Sequence, residues 1–149
     1  MSVKIERFDA EKMDATMWSN QIYAILCTDY EQSPWSKHYI LADLQLETSE
    51  YFLARNDDEL LGFLALSRIM DEVEITNIAV RRDCQGQGIA TRLLTALSNF
   101  TGTIFLEVRE SNFSAQKLYE KLGFVRYHFR ANYYTEPIEN AILMRKIQD

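Results

Sequence analysis

The stretch VEITNIAVRRDCQGQGIATRLL, from Val73 to Leu94, joins a strand-like pattern to a helix-like one. Apolar and polar residues alternate over its first half, which is typical of a half-buried β-strand. The second half follows the spacing of one helix face, with Ile89 and Leu93 on a single stripe. Gly86 and Gly88 stand between the two halves. A strand, a glycine loop and a helix in succession predict an α/β fold.

The glycine pair allows two interpretations. Without Cβ atoms the loop backbone can approach a ligand closely, and the N–H groups of the first helical turn favour a phosphate. Alternatively, Gly86 or Gly88 only supplies the positive φ of a tight turn. A Rossmann loop would need a glycine or an alanine where Thr91 stands, and a Walker loop would need a lysine where Ile89 stands. Both of these nucleotide sites are therefore disfavoured.

The strand ahead of the loop changes phase. Its apolar alternation holds at Val73 and Ile75, and it resumes one residue out of step at Ile78 and Val80. An extra residue in a β-bulge produces such a slip, because it moves the apolar set to the other face of the sheet. A strand end that is buried on both faces produces the same pattern. The sequence leaves both structures open.

The chain ahead of this stretch predicts one strand and two helices. Residues Val3–Phe8 alternate in the manner of a strand. Asp9 then stands where a helix N-cap is expected, and the helix behind it reaches about Cys27. Ser36 is expected to cap a second helix that continues to about Leu46.

The remaining elements complete one mixed sheet. Residues Glu50–Val80 predict three consecutive strands, because Asn56–Asp58 and Asp71–Glu72 carry turn residues. The later elements are a helix from about Gln87 to Phe100, a strand at Thr103–Arg109, a helix at Asn112–Leu122 closed by Gly123, and strands at Phe124–Phe129 and Asn140–Ile147. The order is β-α-α-β-β-β-α-β-α-β-β. We expect a mostly antiparallel sheet of six or seven strands, flanked by four helices, in a single domain over residues 1–149.

Composition narrows the class of protein. The chain has 149 residues, of which 47% are hydrophobic, and this suits one domain with a single core. A net charge of −6 argues against nucleic acid as a partner. We expect a cytoplasmic protein without a membrane anchor, because no leader pattern or long apolar run is seen. Cys27 and Cys84 show no metal-ligand spacing, so no metal site is predicted.

Four segments resemble a known family. The sequence Gln85–Ala90 matches the Gln/Arg-x-x-Gly-x-Gly/Ala motif of the GNAT acetyltransferases. The segments LEVRESNFSAQKLYEKLGF (Leu106–Phe124) and RANYY (Arg130–Tyr134) are similar to the RimI type of that family, which acetylates the N-termini of ribosomal proteins. PWS, at Pro34–Ser36, resembles a further segment of the same type.

The resemblance implies a GNAT fold, acetyl-coenzyme A as the acetyl donor, and a role for each matching residue. Glu107 would be the general base and Tyr119 the general acid. The cofactor would be held by Ile78, Ala79, Val80, Gln85, Gly86, Gln87, Gly88, Ile89, Ala90, Thr91 and Asn112. The acceptor would meet Trp35, Asn77, Arg130, Tyr133 and Tyr134. The acceptor implied is the N-terminal alanine of a small-subunit ribosomal protein, and the enzyme itself would be a monomer or a weak homodimer.

The residues themselves leave the role of Glu107 open. It lies on the polar face of its strand between Phe105 and Arg109, where a carboxylate needs a partner or solvent. An ion pair with Arg109 explains it as well as catalysis does. Tyr119 is expected at the margin of a buried helix stripe, as a core-edge residue or as an acid. An α-ammonium group, with a pKa of about 8, gives up its proton more readily than a lysine side chain, whose pKa is about 10.4.

Several alternatives remain. The same machinery could acetylate a lysine, a polyamine or another small amine. A protein that keeps the acetyl-coenzyme A site as a sensor, or a phosphate-binding scaffold without acetyl chemistry, would belong to a different class. Cys84 in the loop could serve as a nucleophile, but neither histidine, His38 or His128, is near it in sequence. We therefore favour direct transfer over a covalent intermediate.

Overall fold

The computed structural model describes residues 2–30 and 33–149. A short 3₁₀ turn at Arg82–Cys84, which the sequence did not predict, precedes the glycine loop. The strands and helices, in chain order, are β1 (Lys4–Arg7), α1 (Ala15–Asp29), α2 (Lys37–Leu44), β2 (Ser49–Asn56), β3 (Glu59–Ile69), β4 (Glu72–Val80), α3 (Ile89–Thr95), β5 (Gly102–Arg109), α4 (Phe113–Lys121), β6 (Val125–Thr135) and β7 (Ile138–Gln148). The predicted order of elements is confirmed.

The strands form a seven-stranded mixed sheet in the order β1-β2-β3-β4-β5-β7-β6. Strands β4 and β5 pair in parallel over Glu72–Glu74. The pairs β1–β2, β2–β3, β5–β7 and β6–β7 are antiparallel. The prediction of a mixed, mostly antiparallel sheet is therefore confirmed, with the strand number at the upper end of the expected range.

The chain divides into two compact units. The first comprises Met1–Arg68 and Thr76–Asn99, and the second comprises Ile69–Ile75 and Phe100–Asp149. Strand β4 contributes residues to both. That the two units act as a single domain stays an expectation from the sequence. In the described ranges, no helix has the length and apolar character needed to cross a membrane.

The core of the first unit lies between its helices and strands β2 and β3. Helix α1 buries Trp18, Ile22, Ile25 and Leu26, which recur at helical spacing on one face. These side chains pack in one cluster with Ile40 of α2 and with residues of both strands. Each aliphatic side chain that is removed from water here contributes about 1.5 to 3 kcal/mol to folding.

The second unit is built on the alternation of β5. Ile104, Leu106 and Val108 are buried on one face of β5, and Glu107 lies on the opposite face, as predicted, where it is half-buried. Helix α4 begins at an Asn112 cap, and it ends before Gly123, whose φ of 100° suits a residue without a Cβ.

The predicted start of the first helix is wrong. Asp9 does not cap α1, because its carboxylate and carbonyl close a separate turn with Glu11, Lys12 and Met13. Asp14 is the N-cap, and its carboxylate accepts the Met17 N–H at 3.1 Å.

The predicted Gln87–Phe100 helix is shorter than expected. Its start moves to Ile89, because Gly88 has a φ of 81° and cannot continue a right-handed helix. It ends at Thr95, where the backbone hydrogen bonds from Ala96 onward shorten to a spacing of three residues.

Replacing Asp14 by alanine tests this boundary. We expect the free energy of unfolding to fall by about 1 kcal/mol, since the cap of α1 is lost. Asp9→Ala serves as the matched control, because it removes an acceptor from an exposed turn, and it should cost less than about 0.5 kcal/mol. Urea denaturation followed by circular dichroism measures both. A larger loss for Asp9→Ala than for Asp14→Ala would contradict the assignment.

Candidate active site

The glycine loop of the first unit presents bare backbone. Gly86 and Gly88 have φ values of 80° and 81°, so the positive φ expected of a tight turn is confirmed at both. A Cβ built on either glycine would meet no atom within 4 Å, so this backbone faces open space. The loop is therefore both a turn and a surface that a ligand can approach without meeting a side chain.

Side-chain hydrogen bonds anchor the residues that precede the two glycines. The Gln85 carboxamide donates to the Val80 carbonyl at 3.0 Å and closes the loop onto the end of β4. The Arg81 guanidinium donates to Asp83 at 2.6 Å and also to Glu59 of β3. The hydrogen bond from Arg81 holds the pKa of Asp83 below its usual range. The Gln85 side-chain NH₂ group thus already donates one hydrogen bond to the protein. Contact between Gln85 and a cofactor stays a prediction.

Strand β4 approaches the loop with its last residues buried. Ala79 and Val80 are both buried, whereas Ile78 and Asn77 are half-buried. This pattern fits a strand end covered on both faces, while a bulge stays a prediction. Gly62 of β3 lies so close that a Cβ there would sit 3.0 Å from the Ala79 carbonyl oxygen.

Helix α3 anchors the far end of the loop. Ile89, Leu93 and Leu94 are buried, and the Arg92 guanidinium donates to the Val3 carbonyl at 2.9 Å. As at every helix start, the N–H groups of the first turn have no partner inside the helix. Bare glycines followed by such N–H groups can accommodate a phosphate group, and contact of this loop with a cofactor stays a prediction.

In the second unit, three predicted residues come together. The Arg130 guanidinium lies 3.8 Å from the Glu107 carboxylate, whose side chain is 25% exposed. The Tyr133 hydroxyl donates a hydrogen bond to the same carboxylate, and this raises the pKa of Tyr133. The Arg130 guanidinium also lies over the Tyr133 ring, 5.5 Å from its centroid. Glu107 is therefore partnered from β6.

The alternative ion pair between Glu107 and Arg109 is wrong. Arg109 pairs with Glu139 of β7 at 3.2 Å, and its guanidinium lies 4.2 Å from the centroid of the Tyr134 ring. It also donates to the carbonyls of Glu136 and Pro137. Proximity along β5 favoured the wrong partner, because the correct ones come from the β6–β7 hairpin, distant in sequence.

Sequence analysis missed a second carboxylate. Glu74 pairs in register with Phe105, and this places it on the face of the sheet that carries Glu107. Burial raises the pKa of Glu74 and repulsion from Glu107 adds to the rise, whereas Arg130 opposes it. The signal that identifies Glu74 is the β4–β5 register, which the sequence does not state.

Helix α4 differs from its predicted packing. Tyr119 was expected at the margin of a buried stripe, but it is buried, with its ring edge-on to Phe124 at 5.8 Å. Gln116, which the sequence did not single out, is also buried and donates to the carbonyls of Arg109 and Glu110. The side of α4 that carries Gln116 and Tyr119 therefore faces inward. Gln116 can be buried there because its amide donates to the backbone carbonyls at the end of β5.

Two further predicted residues have structural partners. The Asn112 side-chain oxygen accepts the Ala115 N–H at 3.2 Å and caps α4. The side-chain NH₂ group of Asn112 is therefore the part that a cofactor would contact. Trp35 of the first unit is half-buried, and its ring lies 5.0 Å from that of Tyr39. The predicted cofactor loop and Asn77 belong to the first unit, and the predicted catalytic residues belong to the second.

Comparison with known proteins shows what the chain is similar to. Residues 19–124 match the Acetyltransferase (GNAT) family. The ribosomal protein bS18-alanine N-acetyltransferase of Haemophilus ducreyi is 39% identical over 124 residues, which are 74% of this chain and 81% of that protein.

Solved structures show the same fold. The ribosomal-protein-S18-alanine N-acetyltransferase of Escherichia coli superposes with a TM-score of 0.83 at 30% identity, covering 99% of this chain and 96% of its own. A GNAT family acetyltransferase from Elizabethkingia anophelis, solved with acetyl-CoA bound, has a TM-score of 0.73 at 24% identity and 97% coverage of both chains. At that identity the second match shows the fold alone.

The loop cysteine gives a prediction about chemistry. Burial raises the pKa of the Cys84 thiol, so little thiolate is present near neutral pH, whereas Cys27 is exposed. We expect Ellman's reagent at pH 8 to modify Cys27 rapidly, and Cys84 only after unfolding in guanidinium. The Cys27→Ser variant should lose the rapid phase. Rapid modification of folded Cys27→Ser protein would instead identify Cys84 as a reactive thiol.

Proposed function

The chain belongs to the Acetyltransferase (GNAT) family, and we propose that it acetylates the N-terminal α-amine of a protein by direct transfer from acetyl-coenzyme A. The acceptor proposed is the N-terminal alanine of a small-subunit ribosomal protein. The observation that carries this proposal is the 39% identity to a ribosomal protein bS18-alanine N-acetyltransferase over most of both chains. Such an acceptor places the reaction in the cytoplasm, and we propose a monomer or a weak homodimer as the working form.

The glycine loop is proposed to hold the acetyl donor. Acetyl-coenzyme A supplies an acetyl thioester, and its pyrophosphate needs several N–H donors with no side chain in the way. Gly86 and Gly88 meet the second requirement, because a Cβ at either would project into open space. The amides from Gly88 to Thr91 meet the first requirement. The amide group of Asn112 is a further donor.

Glu107 is proposed as the base that takes the proton from the attacking amine. An α-ammonium has a pKa of about 8, so a carboxylate can accept its proton near neutral pH, directly or through one water. Half-burial protects Glu107 from bulk water, and Arg130 and Tyr133 fix its position. The neutral amine nitrogen then forms the bond to the acetyl carbon as the bond from that carbon to sulfur breaks.

Tyr119 is proposed as the acid that protonates the departing sulfur. Its ring is held by the edge-on contact with Phe124, so the phenol oxygen has a defined position. A positioned acid of this kind avoids the release of a free thiolate. The nitrogen, once acylated, carries one surplus proton and releases it to the Tyr119 phenolate, directly or through water, which restores the phenol. Glu107 returns the proton that it accepted to the solvent, so the net products are the amide, the free thiol of coenzyme A and one proton.

Tyr133 and Tyr134 are proposed to flank the acceptor peptide. Each ring is held by an arginine, since Arg130 lies over Tyr133 and Arg109 lies over Tyr134. Rings fixed in this way offer flat apolar walls with hydroxyl groups at their tips. The cluster carries two carboxylates and one arginine in Glu74, Glu107 and Arg130, so its charge favours an amine over an anion.

A peptide panel tests the proposed acceptor. Each peptide begins with alanine and carries one internal lysine, and it is supplied with either a free or an acetyl-blocked N-terminus; spermidine is a separate arm. We expect mass spectrometry to show one added acetyl group on the first residue of free peptides only. Acetylation of the blocked peptides or of spermidine at an equal rate would replace the proposal with lysine or polyamine acetylation.

The base is tested by Glu107→Gln. We expect kcat to fall roughly 10²-fold, because a positioned base is lost, while the KM for acetyl-coenzyme A stays unchanged. Glu110→Gln is the matched control, since Glu110 is an exposed carboxylate just beyond the same strand. Turnover is followed by thiol release. Unchanged turnover in Glu107→Gln would exclude the proposed base.

The acid is tested by Tyr119→Phe, which keeps the ring contact and removes the hydroxyl. We expect a roughly 10²-fold loss in the rate of thiol release, measured in single-turnover experiments. Tyr127→Phe controls for the loss of a phenol elsewhere on the second unit, because its contacts with Phe105 and Arg145 involve the ring. If Tyr119→Phe and the parent release thiol equally fast at every pH, another group is the acid.

A further inference from the structure

The register between the edge strand β6 and its neighbour β7 shifts close to Glu107, Arg130 and Tyr133. Arg130 is the register partner of Ala141, and Tyr134 is the register partner of Glu139. Strand β6 thus advances four residues while β7 advances two. The surplus residues form a bulge at 131–133, between Arg130 and Tyr134.

The bulge places two consecutive tyrosines on one side of the sheet. Arg109 and Arg130 are both register partners of Ala141, so all three lie in one row on one face. Tyr133 meets Arg130, and Tyr134 meets Arg109. In a regular strand, neighbouring side chains point to opposite faces, and Tyr133 would point away from Arg130. The bulge therefore explains how Tyr133 reaches Glu107.

Two asparagines hold the bulge. Asn132 has a φ of 53°, in the left-handed region that asparagine tolerates better than most residues. The Asn132 N–H turns away from the regular ladder and donates to the Asn140 side-chain oxygen at 2.9 Å. The Asn140 carbonyl accepts the Glu110 N–H at 3.1 Å, and this fixes Asn140 against the end of β5. The carboxamide of Asn140 thus replaces the strand partner that the bulge removes.

The hairpin beyond the bulge is clamped separately. The Glu139 carboxylate accepts the Ser111 N–H at 2.6 Å and pairs with Arg109. This clamp lies on the Tyr134 side of the hairpin, and the Asn132–Asn140 hydrogen bond lies within the bulge itself.

We propose that Asn140 is a positioning residue for acetyl transfer: by holding the 131–133 bulge, it keeps the Tyr133 hydroxyl on Glu107. This inference rests on the proposed function, because it takes Glu107 as the base. Asn140 acts through Tyr133, and Tyr133 orients the Glu107 carboxylate together with Arg130. The neighbouring Glu74 carboxylate repels Glu107.

The kinetic test is a double-mutant cycle with a conservative rescue. Asn140→Ala should lower kcat roughly tenfold and leave the KM for acetyl-coenzyme A unchanged, since the base loses its orientation. Asn140→Asp retains an acceptor oxygen for the Asn132 N–H and should stay within about twofold of the parent. Tyr133→Phe should match Asn140→Ala, and the double variant should be no slower than Tyr133→Phe. Additive losses would overturn the proposal.

A measurement without acetyl transfer separates this proposal from the proposed function. The tyrosine ring carbons are labelled with ¹³C, and the resonance lost in Tyr133→Phe is assigned to Tyr133. The hydrogen bond to Glu107 raises the pKa of Tyr133, so Asn140→Ala should lower that pKa and Asn140→Asp should not. An unchanged Tyr133 titration in Asn140→Ala would overturn the positioning role. A shifted titration in a protein that acetylates no N-terminus would support it and reject the proposed function alone.

A second pair of variants covers the case in which Asn140→Ala does not fold. Asn132→Gly preserves both the left-handed φ and the N–H donor, so it should titrate and turn over as the parent does. Asn132→Val disfavours that φ and should reproduce the effects expected of Asn140→Ala. Parent-like behaviour of Asn132→Val in both measurements would overturn the proposal.

Discussion

The half-buried carboxylate of Glu107 is the constraint on which the second unit depends. A charge on an inner strand is costly unless it is compensated, and Arg109 of the same strand pairs with Glu139 instead. Arg130 and Tyr133 do so from β6, which can supply them only because it is long and bulged. The Asn132–Asn140 hydrogen bond holds the bulge, and the contacts of Glu139 with Ser111 and Arg109 hold the rest of the hairpin.

The first unit meets a different constraint, which is to leave backbone uncovered. Gly86 and Gly88 adopt positive φ and face open space, while the residues around them are held in place by Gln85, Arg81 and the buried side of α3. Uncovered loop backbone between anchored residues suits a negatively charged ligand that accepts hydrogen bonds from backbone N–H groups. The proposed catalytic residues, Glu107 and Tyr119, belong to the second unit.

Prediction from sequence was reliable where neighbours along the chain decide the structure. The alternation of β5 and the cap at Ser36 depend on local periodicity and local hydrogen bonds, and both were confirmed. It was wrong where two local options compete. Asp9 and Asp14 both have side chains that can cap a helix, and the structure uses Asp9 to close a separate turn and Asp14 to cap α1.

The sequence by itself determined the order of elements, the glycine loop and the family, since each depends on residue type at fixed spacing. Only the tertiary structure decided which partner each charged side chain takes. Arg109 turns to Glu139, Arg130 turns to Glu107, and Glu74 joins the same face, because strand register brings together residues far apart in the chain. Register follows from the packing of whole strands and from a bulge, and no local pattern of residues records either one.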